Sequence, residues 1–429
     1  MLTRRQTLRA LGAAGLAAPV VSACGNDDSA GGQAAGSDLK LVKADVAPSA
    51  GDPAAVGGVV DAMGAFTLDL WAELPSEENL AISPYSIAVA LAMTANGAAG
   101  RTARAMDDVL HVRSLATYNA GMAALTDELI GLAGPVEVAG EKSEIELAPA
   151  NQLFGDAGIH WQQAFLTVLA KMYDAGMRTV DFAGAAEQAR VLVNEWTSQQ
   201  TNDRIPEILP EGSVDPSTRL VLVNALYFKA PWNVPFDTTT TKPGRFHRSD
   251  GSTVDAQLMA TDEGPTYVSG THFGGARLPY AGGGLSMTVA LPTGPEAAAL
   301  RELLGSGLSG PGESGLRLVL PRWTYRVETG LKDPLKRLGM AVAFSDDADF
   351  SAMTTDAHLA ITDVLHQTYV AVDEAGTEAA AATAVIVGET SLPVTQHELV
   401  LDRPFLYVIH DTAHGTPLFV GRVADPSRE

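Results

Sequence analysis

Catalysis would need a nucleophile, an acid–base pair or a metal set, and this 429-residue chain offers one cysteine, Cys24, and nine scattered histidines. With one cysteine there is no intramolecular disulfide, and a thiol mechanism would have to use Cys24 itself. No Gly-x-Ser-x-Gly pattern is present, nor the set of Ser-x-x-Lys with Ser-Asp-Asn and Lys-Thr-Gly, and His397-Glu398 fails as a His-Glu-x-x-His zinc site because Leu401 stands where the second histidine belongs. The histidines lack metal-ligand spacing, and Gly274-Gly275 and Gly282-Gly283-Gly284 lack the strand, spacing and helix of a phosphate loop, so both read as turns. The expectation is a protein that is not an enzyme and needs no metal or cofactor.

The chemistry instead concentrates in Asp373-Glu374-Ala375-Gly376-Thr377-Glu378-Ala379-Ala380-Ala381-Ala382-Thr383. By composition the alanine run reads as helix, because alanine has the best helix propensity and loses no side-chain entropy. Its flanks read otherwise. His366 to Asp373 alternates like a strand, Ala384-Val385-Ile386-Val387 is β-branched, and Leu392-Pro393 stops whatever precedes it. A helix would be wedged between strands, whereas an extended run of tiny residues is built to move.

At the N-terminus, Arg4 and Arg5 precede the apolar stretch Ala10 to Val21, the pattern of an export signal. Thr3-Arg4-Arg5-Gln6-Thr7-Leu8 resembles a twin-arginine signal, and Val21-Ser22-Ala23-Cys24 resembles the lipobox of bacterial lipoproteins, which implies a lipid anchor on Cys24. Residues 1–23 are therefore expected to be a signal peptide. Residues 24–58, rich in Gly, Ala, Ser, Asp and Pro, are expected to be a flexible tether. No other apolar run reaches the length of a membrane span, so any membrane attachment is expected through the anchor alone. The expected location is the extracytoplasmic face of a bacterial membrane, or outside the cell.

The net charge of −22 becomes −25 when residues 1–23, with three arginines and no acids, are removed. No Lys/Arg stripe offers nucleic acid or a heparin-like polyanion an electrostatic footprint.

Helical periodicity covers Val59 to Leu74, Ile87 to Asn96, Arg101 to Leu110, Leu115 to Leu132, Trp161 to Tyr173, Ala185 to Thr201 and Thr329 to Leu338. Strand patterns cover Leu220 to Phe228, Leu285 to Leu291, Leu316 to Leu320, Leu359 to Asp373, Phe405 to His410 and Pro417 to Val423. Helices early and strands late predict a single α+β domain over 59–429, with no internal repeat.

Four segments together resemble the serpins, a family of protease inhibitors. They are Asn79 to Met93 followed by Gly97-Ala98-Ala99-Gly100-Arg101-Thr102; Asn224 to Trp232 with Phe236; the 373–383 run; and Asp402 to Asp411 followed by Gly415 to Pro426. Ala230 departs from the family's usual glycine. The resemblance implies a serpin fold, with an N-terminal helix-rich part packed on large mixed β-sheets and a mobile reactive loop at about 374–397. It implies a hinge at Glu374, Gly376, Thr377, Glu378, Ala379, Ala380, Ala381, Ala382 and Thr383, a shutter at Ser83, Ser86, Asn224 and His366, and a breach tryptophan at Trp232. Independently of the family, Ser83 and Ser86 flank a helix start, where hydroxyls satisfy orphan N–H groups.

The same resemblance implies a suicide substrate. Counting from Glu374 puts the reactive bond at Thr390-Ser391, and a register one residue earlier would put Glu389 at the cut. The expected partner is a serine, or cysteine, endopeptidase that forms an acyl-enzyme on the loop. Thr390 favours elastase-like or subtilisin-like enzymes, and Glu389 would favour an acid-preferring one. After cleavage the hinge would enter a sheet with Thr377, Ala379, Ala381 and Thr383 on one face and Glu378, Ala380 and Ala382 on the other. The inhibitor is expected to act as a monomer. The alternative within the family is a non-inhibitory member serving as a binding or chaperone-like module. Such members commonly spoil the hinge with bulky or charged residues, and here it is intact.

Overall fold

The computed structural model describes residues 39–378 and 396–428. Cys24, the run Ala379 to Thr383, and the expected reactive bond Thr390-Ser391 lie outside the described residues.

The middle of the molecule is a strand buried along nearly all its length, Leu220–Pro231. Its side chains alternate between two cores: Leu222, Leu226 and Phe228 join the larger one, and Val221, Val223 and Ala225 the smaller. A strand covered on both faces needs apolar residues at consecutive positions, which is why Leu220-Val221-Leu222-Val223 is continuous. Around it runs the central sheet, in the order Lys40–Val42, Met177–Val180, Glu141–Asp156, Leu220–Pro231, Gly376–Thr377, Asp363–Val372, Trp323–Gly330.

The helix Phe182–Gln200 contributes Ala189, Val193 and Trp196 to the smaller core. On the other face lies the wholly buried helix Pro84–Ala95, packed against the central sheet and the strand Pro417–Val423 of a six-stranded sheet. Proline at its first turn and Ser83, whose hydroxyl accepts the Ser86 N–H at 3.2 Å, define its start. A four-stranded sheet orders His397–Val400, Leu316–Pro321, Thr253–Thr261 and Lys242–His247, and its first two strands are parallel.

The α+β class and the order of the early helices are as expected, and several segments differ. From Leu39 onward the expected tether is packed: Lys40–Val42 pairs with Met177–Val180, Ala44 is buried, and the helix of Val59 begins at Val56. Few large side chains are needed for an edge strand, so composition misled there. Gly274-Gly275, expected as a turn, lies inside the strand Phe273–Pro279, where a Cβ on Gly275 would meet the Val289 carbonyl at 2.4 Å. Thr329-Gly330, expected to open a helix, ends a strand, and the helix is Lys332–Leu338. The strand Glu141–Asp156 escaped the reading because it starts on Glu, Lys, Ser and Glu at a half-solvated edge.

Candidate functional site

The strands Leu220–Pro231 and Asp363–Val372 run parallel and pair directly from Val221 with Asp363 to Leu226 with Thr368. Beyond those rows they part, and Gly376–Thr377 lies between them: Gly376 faces Pro231, and Thr377 faces Ala230 on one side and Val372 on the other, antiparallel to both. The Glu378 N–H continues the ladder, donating to the Ala371 carbonyl at 2.8 Å. Residues 373–376 make this possible by folding back in a tight turn. The Asp373 carboxylate accepts the N–H groups of Ala375 (2.8 Å) and Gly376 (3.2 Å), while its own N–H donates to the Gly376 carbonyl at 3.0 Å. Gly376 is there for space: a Cβ would sit 2.2 Å from the Ala230 carbonyl oxygen and 2.7 Å from Pro231 Cα. Glu378 then takes a left-handed φ of 52°, so regular strand geometry ends at that residue.

Around this turn the polar groups are closely matched. The buried Glu374 carboxylate accepts from Arg322 Nε (2.8 Å) and Nη2 (2.5 Å) and from the Thr241 hydroxyl. Burial raises its pKa, and the Arg322 guanidinium and Thr241 hydroxyl outweigh burial, so it sits below the ordinary carboxylate range. The Glu374 and Ala375 carbonyls accept the backbone N–H groups of Phe236 and Trp232, each at 2.9 Å, and Trp232 Nε1 donates to the Asp373 carbonyl at 2.9 Å. The Trp232 ring stacks on Tyr280 at 4.6 Å, and the Tyr280 hydroxyl is 2.6 Å from that of Thr377. On the opposite face Glu378 pairs with Arg204. Burial, opposed by Arg204, raises the pKa of the Glu378 carboxyl.

Further down the seam, Ser83, Ser86, Asn224 and His366 come together, all wholly buried. Asn151, Asn224 and His366 form one row across three strands. His366 Nε2 accepts the Ser83 backbone N–H at 2.9 Å, and its Nδ1–H donates to Asn224 Oδ1, which together specify the neutral Nδ1–H tautomer. Asn224 Nδ2 donates to the Leu365 carbonyl at 3.0 Å, and the Ser86 hydroxyl donates to Asn151 Oδ1 at 2.5 Å. Burial pushes the His366 pKa down to about 3.

The structure thus brings Glu374, Gly376, Thr377, Glu378 and Trp232 into one cluster, and Ser83, Ser86, Asn224 and His366, the four residues expected to form a shutter, into a second. Arg322, Thr241, Tyr280, Asn151 and Arg204 were not anticipated. Arg322 directly follows the strand Leu316–Pro321 and reads in sequence as an ordinary boundary arginine. Among the described residues no group of three His, Cys, Asp or Glu is placed to hold a metal.

A three-sheet α+β body whose central sheet holds the start of a loop as an incipient strand defines a protein class, and comparison with known proteins gives the same one. A family model described as "Serpin (serine protease inhibitor)" matches residues 61–426. The chain belongs to the serpin family. It is 35% identical to the leukocyte elastase inhibitor of Bos taurus, over 84% of this chain and 97% of that protein. It is 34% identical to an uncharacterized serpin-like protein of Thermococcus kodakarensis, over 86% of each. Among solved structures it resembles the native state of tengpin, a thermophilic serpin, with a TM-score of 0.76 and 28% identity over 90% of this chain and 99% of that one.

Two expectations follow. Gly376→Val forces the hinge out of the seam, so protection of the Glu378 amide in hydrogen exchange falls by about tenfold or more, as expected when overpacking of roughly 1–3 kcal/mol is relieved by expulsion. Unchanged protection would show that the hinge does not depend on that close approach. The second concerns acid. His366 is neutral in the fold down to about pH 3, whereas the unfolded chain protonates it near its ordinary 6.5. Its contribution is complete above pH 6.5 and is lost as the pH falls from 6.5 towards 3. Between pH 7.5 and 5.5 this removes about 1.4 kcal/mol, so urea midpoints of wild type should fall over that range by more than those of His366→Gln. Equal falls would remove His366 from the acid response.

Proposed function

We propose that this serpin is a suicide-substrate inhibitor of serine endopeptidases with a small or moderately apolar primary pocket, elastase-like or subtilisin-like. The observation that carries the reading is the forked seam, with Gly376–Thr377 already paired on both sides at its open end. Continued in the same register, Ala379 and Ala380 take the two rows beyond Glu378, and Thr383 comes level with Asn224 and His366, which face each other in the ladder. The residues that must pass through the fork are therefore the tiny ones, and Thr377 has its side chain buried against Tyr280.

A target protease attacks at Thr390-Ser391 and is held as an acyl-enzyme through its own nucleophile. Cleavage frees the hinge to run on down the seam. About ten new ladder hydrogen bonds, at roughly 1 kcal/mol net each, supply on the order of 10 kcal/mol to trap the enzyme before deacylation. The name of the bovine relative supports elastase-like targets. We read residues 1–23 as an export signal and Cys24 as a lipid anchor, on their sequence pattern alone.

The test is to mix the purified chain with elastase-like, subtilisin-like and glutamate-specific proteases. An SDS-stable complex with a released peptide beginning at Ser391 is expected from one of the first two. Loop cleavage with neither a complex nor a gain in heat stability would overturn the reading in favour of a binding module. Thr377→Arg should lower the yield of complex by about tenfold or more, because a buried position must accept a large charged side chain, while the loop is still cut. An undiminished yield would sink the insertion mechanism.

A further inference from the structure

The helices Val56–Ala72 and Leu115–Ile130 meet near one end and part towards the other. At the contact Gly121 lets them approach closely: a Cβ there would sit 2.7 Å from Val59 Cγ2 and 2.9 Å from the Ala55 carbonyl oxygen. At the far end His111 Nε2 meets Asp69 Oδ2 at 2.8 Å. The turn that ends the helix Gly100–Val109 brings His111 there. Its φ is a left-handed 54°, its N–H donates to the Asp108 carbonyl at 3.2 Å, and the Val112 N–H donates to the Asp107 carbonyl at 2.8 Å. Only Val112 and Arg113 separate it from Ser114, whose hydroxyl accepts the Thr117 N–H and caps the next helix.

Between the two contacts lies a slot of about 600 Å³, within the range of small-ligand sites. From Val59 to Asp69 the helix rises about 15 Å. The floor is Val59, Ala62 and Tyr118, all buried. On the helix Val56–Ala72 the wall is small, with Gly58, Ala62 and Ala65 in line at i, i+4 and i+7. A Cβ on Gly58 would meet nothing within 4 Å. Neighbouring helices ordinarily fill such a space with interlocking side chains, and here the sequence leaves it open.

Two polar groups indicate what fits. Tyr118 is 5% exposed, and its hydroxyl has no hydrogen-bond partner among the described residues. On the rim Arg113 is exposed and makes no ion pair or hydrogen bond among the described residues. Beside it Ser114 marks the N-terminus of Leu115–Ile130, whose dipole adds positive potential. Both signals ask for an acceptor oxygen that the described residues do not supply. Of the acids nearby, Asp69 is engaged by His111, and Asp61 lies on the other helix. One rim is therefore cationic in a chain whose net charge is −22, and the floor is apolar.

We propose that this slot binds a monomeric long-chain carboxylate, its apolar chain laid along Gly58, Ala62 and Ala65 and its carboxylate drawn to Arg113. An extended chain of about ten to twelve carbons matches the length of the slot. A cationic amphiphile would have Asp61 alone to attract it, against Arg113 and the helix N-terminus.

Calorimetric titration of the intact chain with dodecanoate, kept below its micelle concentration, tests this. One molecule should bind per chain, raise the melting temperature and slow hydrogen exchange in 55–65 and 111–121. Gly58→Leu puts a good helix former into the empty space, so the free variant should melt no lower than wild type while binding weakens by about tenfold or more. Arg113→Gln should weaken binding by about tenfold, the equivalent of one lost charge-assisted hydrogen bond, whereas dodecanol should bind wild type and this variant alike. Dodecyltrimethylammonium should bind wild type about tenfold more weakly than dodecanoate, or less. No binding of dodecanoate, binding that Gly58→Leu leaves unchanged, or a cation bound as tightly as the carboxylate would each overturn the site. Capture of the chain on phosphatidylglycerol vesicles without binding of monomeric dodecanoate would make the slot a membrane contact and overturn it too. The titration uses no protease, so it reads the slot whether or not the hinge inserts.

Discussion

Everything in this fold answers to one unfinished seam. Two strands buried on both faces are paired directly along half their length and parted along the rest. Parted strands expose backbone N–H and C=O groups inside an apolar body, where unpaired polar groups are strongly disfavoured. Two outcomes satisfy them: the strands close on each other, or a third strand fills the gap. Gly376 and Thr377 make a start on the second. Only a residue without a Cβ fits the approach to Ala230 and Pro231, so the turn is specified by shape as well as by hydrogen bonds. Glu374 on Arg322 and Thr241, and Trp232 on the Asp373 carbonyl, then fix the turn from outside the sheet.

The two ends of the seam are held by different physics. At the open end the contacts are charged and partly solvated, and they hold the turn without closing the gap. At the closed end Asn224 and His366 are wholly internal, with half-buried Asn151 completing their row. His366 satisfies both ring nitrogens in one tautomer, so separating Asn224 from His366 strands polar groups that were fully paired. Under the proposed insertion, an entering strand would offer N–H and C=O groups to both neighbours, so the penalty would fall on the passage and not on the product.

Ser83, Ser86, Asn224 and His366, and Glu374, Gly376 and Thr377, were singled out through the family resemblance, which the tiny residues between strands prompted, and the structure gathers each set into a cluster. The strand Leu220–Pro231 was legible because burial on both faces removes alternation. What stayed hidden was brought in by topology. Arg322 lies 52 residues from Glu374, Tyr280 lies 97 from Thr377, and Arg204 lies 174 from Glu378. Nothing local in those residues reports a partner that distant. The packing of residues 39–58 was missed for the opposite reason: an edge strand of three residues, Lys40–Val42, needs little apolar surface, so its composition looks like that of a tether.

The anchoring of the loop's two ends explains why an intact chain stays as it is. Glu374 meets Arg322 at the end of Leu316–Pro321 and Thr241 at the start of Lys242–His247, so the four-stranded sheet abuts the open end of the seam. The loop returns to that same sheet, where His397–Val400 pairs in parallel with Leu316–Pro321. From the row of Val372 to that of Asp363 the seam is about 30 Å deep. A hinge filling it would use the chain to residue 386, leaving residues 387–396 to climb back to His397. Ten residues span at most about 35 Å fully extended, which leaves nothing for a turn or for the sideways path around the sheet. Filling the seam therefore requires either a cut in the loop or the loss of the His397–Val400 strand. While His397–Val400 stays paired with Leu316–Pro321 and the loop is uncut, the chain is held at the two-residue start of Gly376–Thr377.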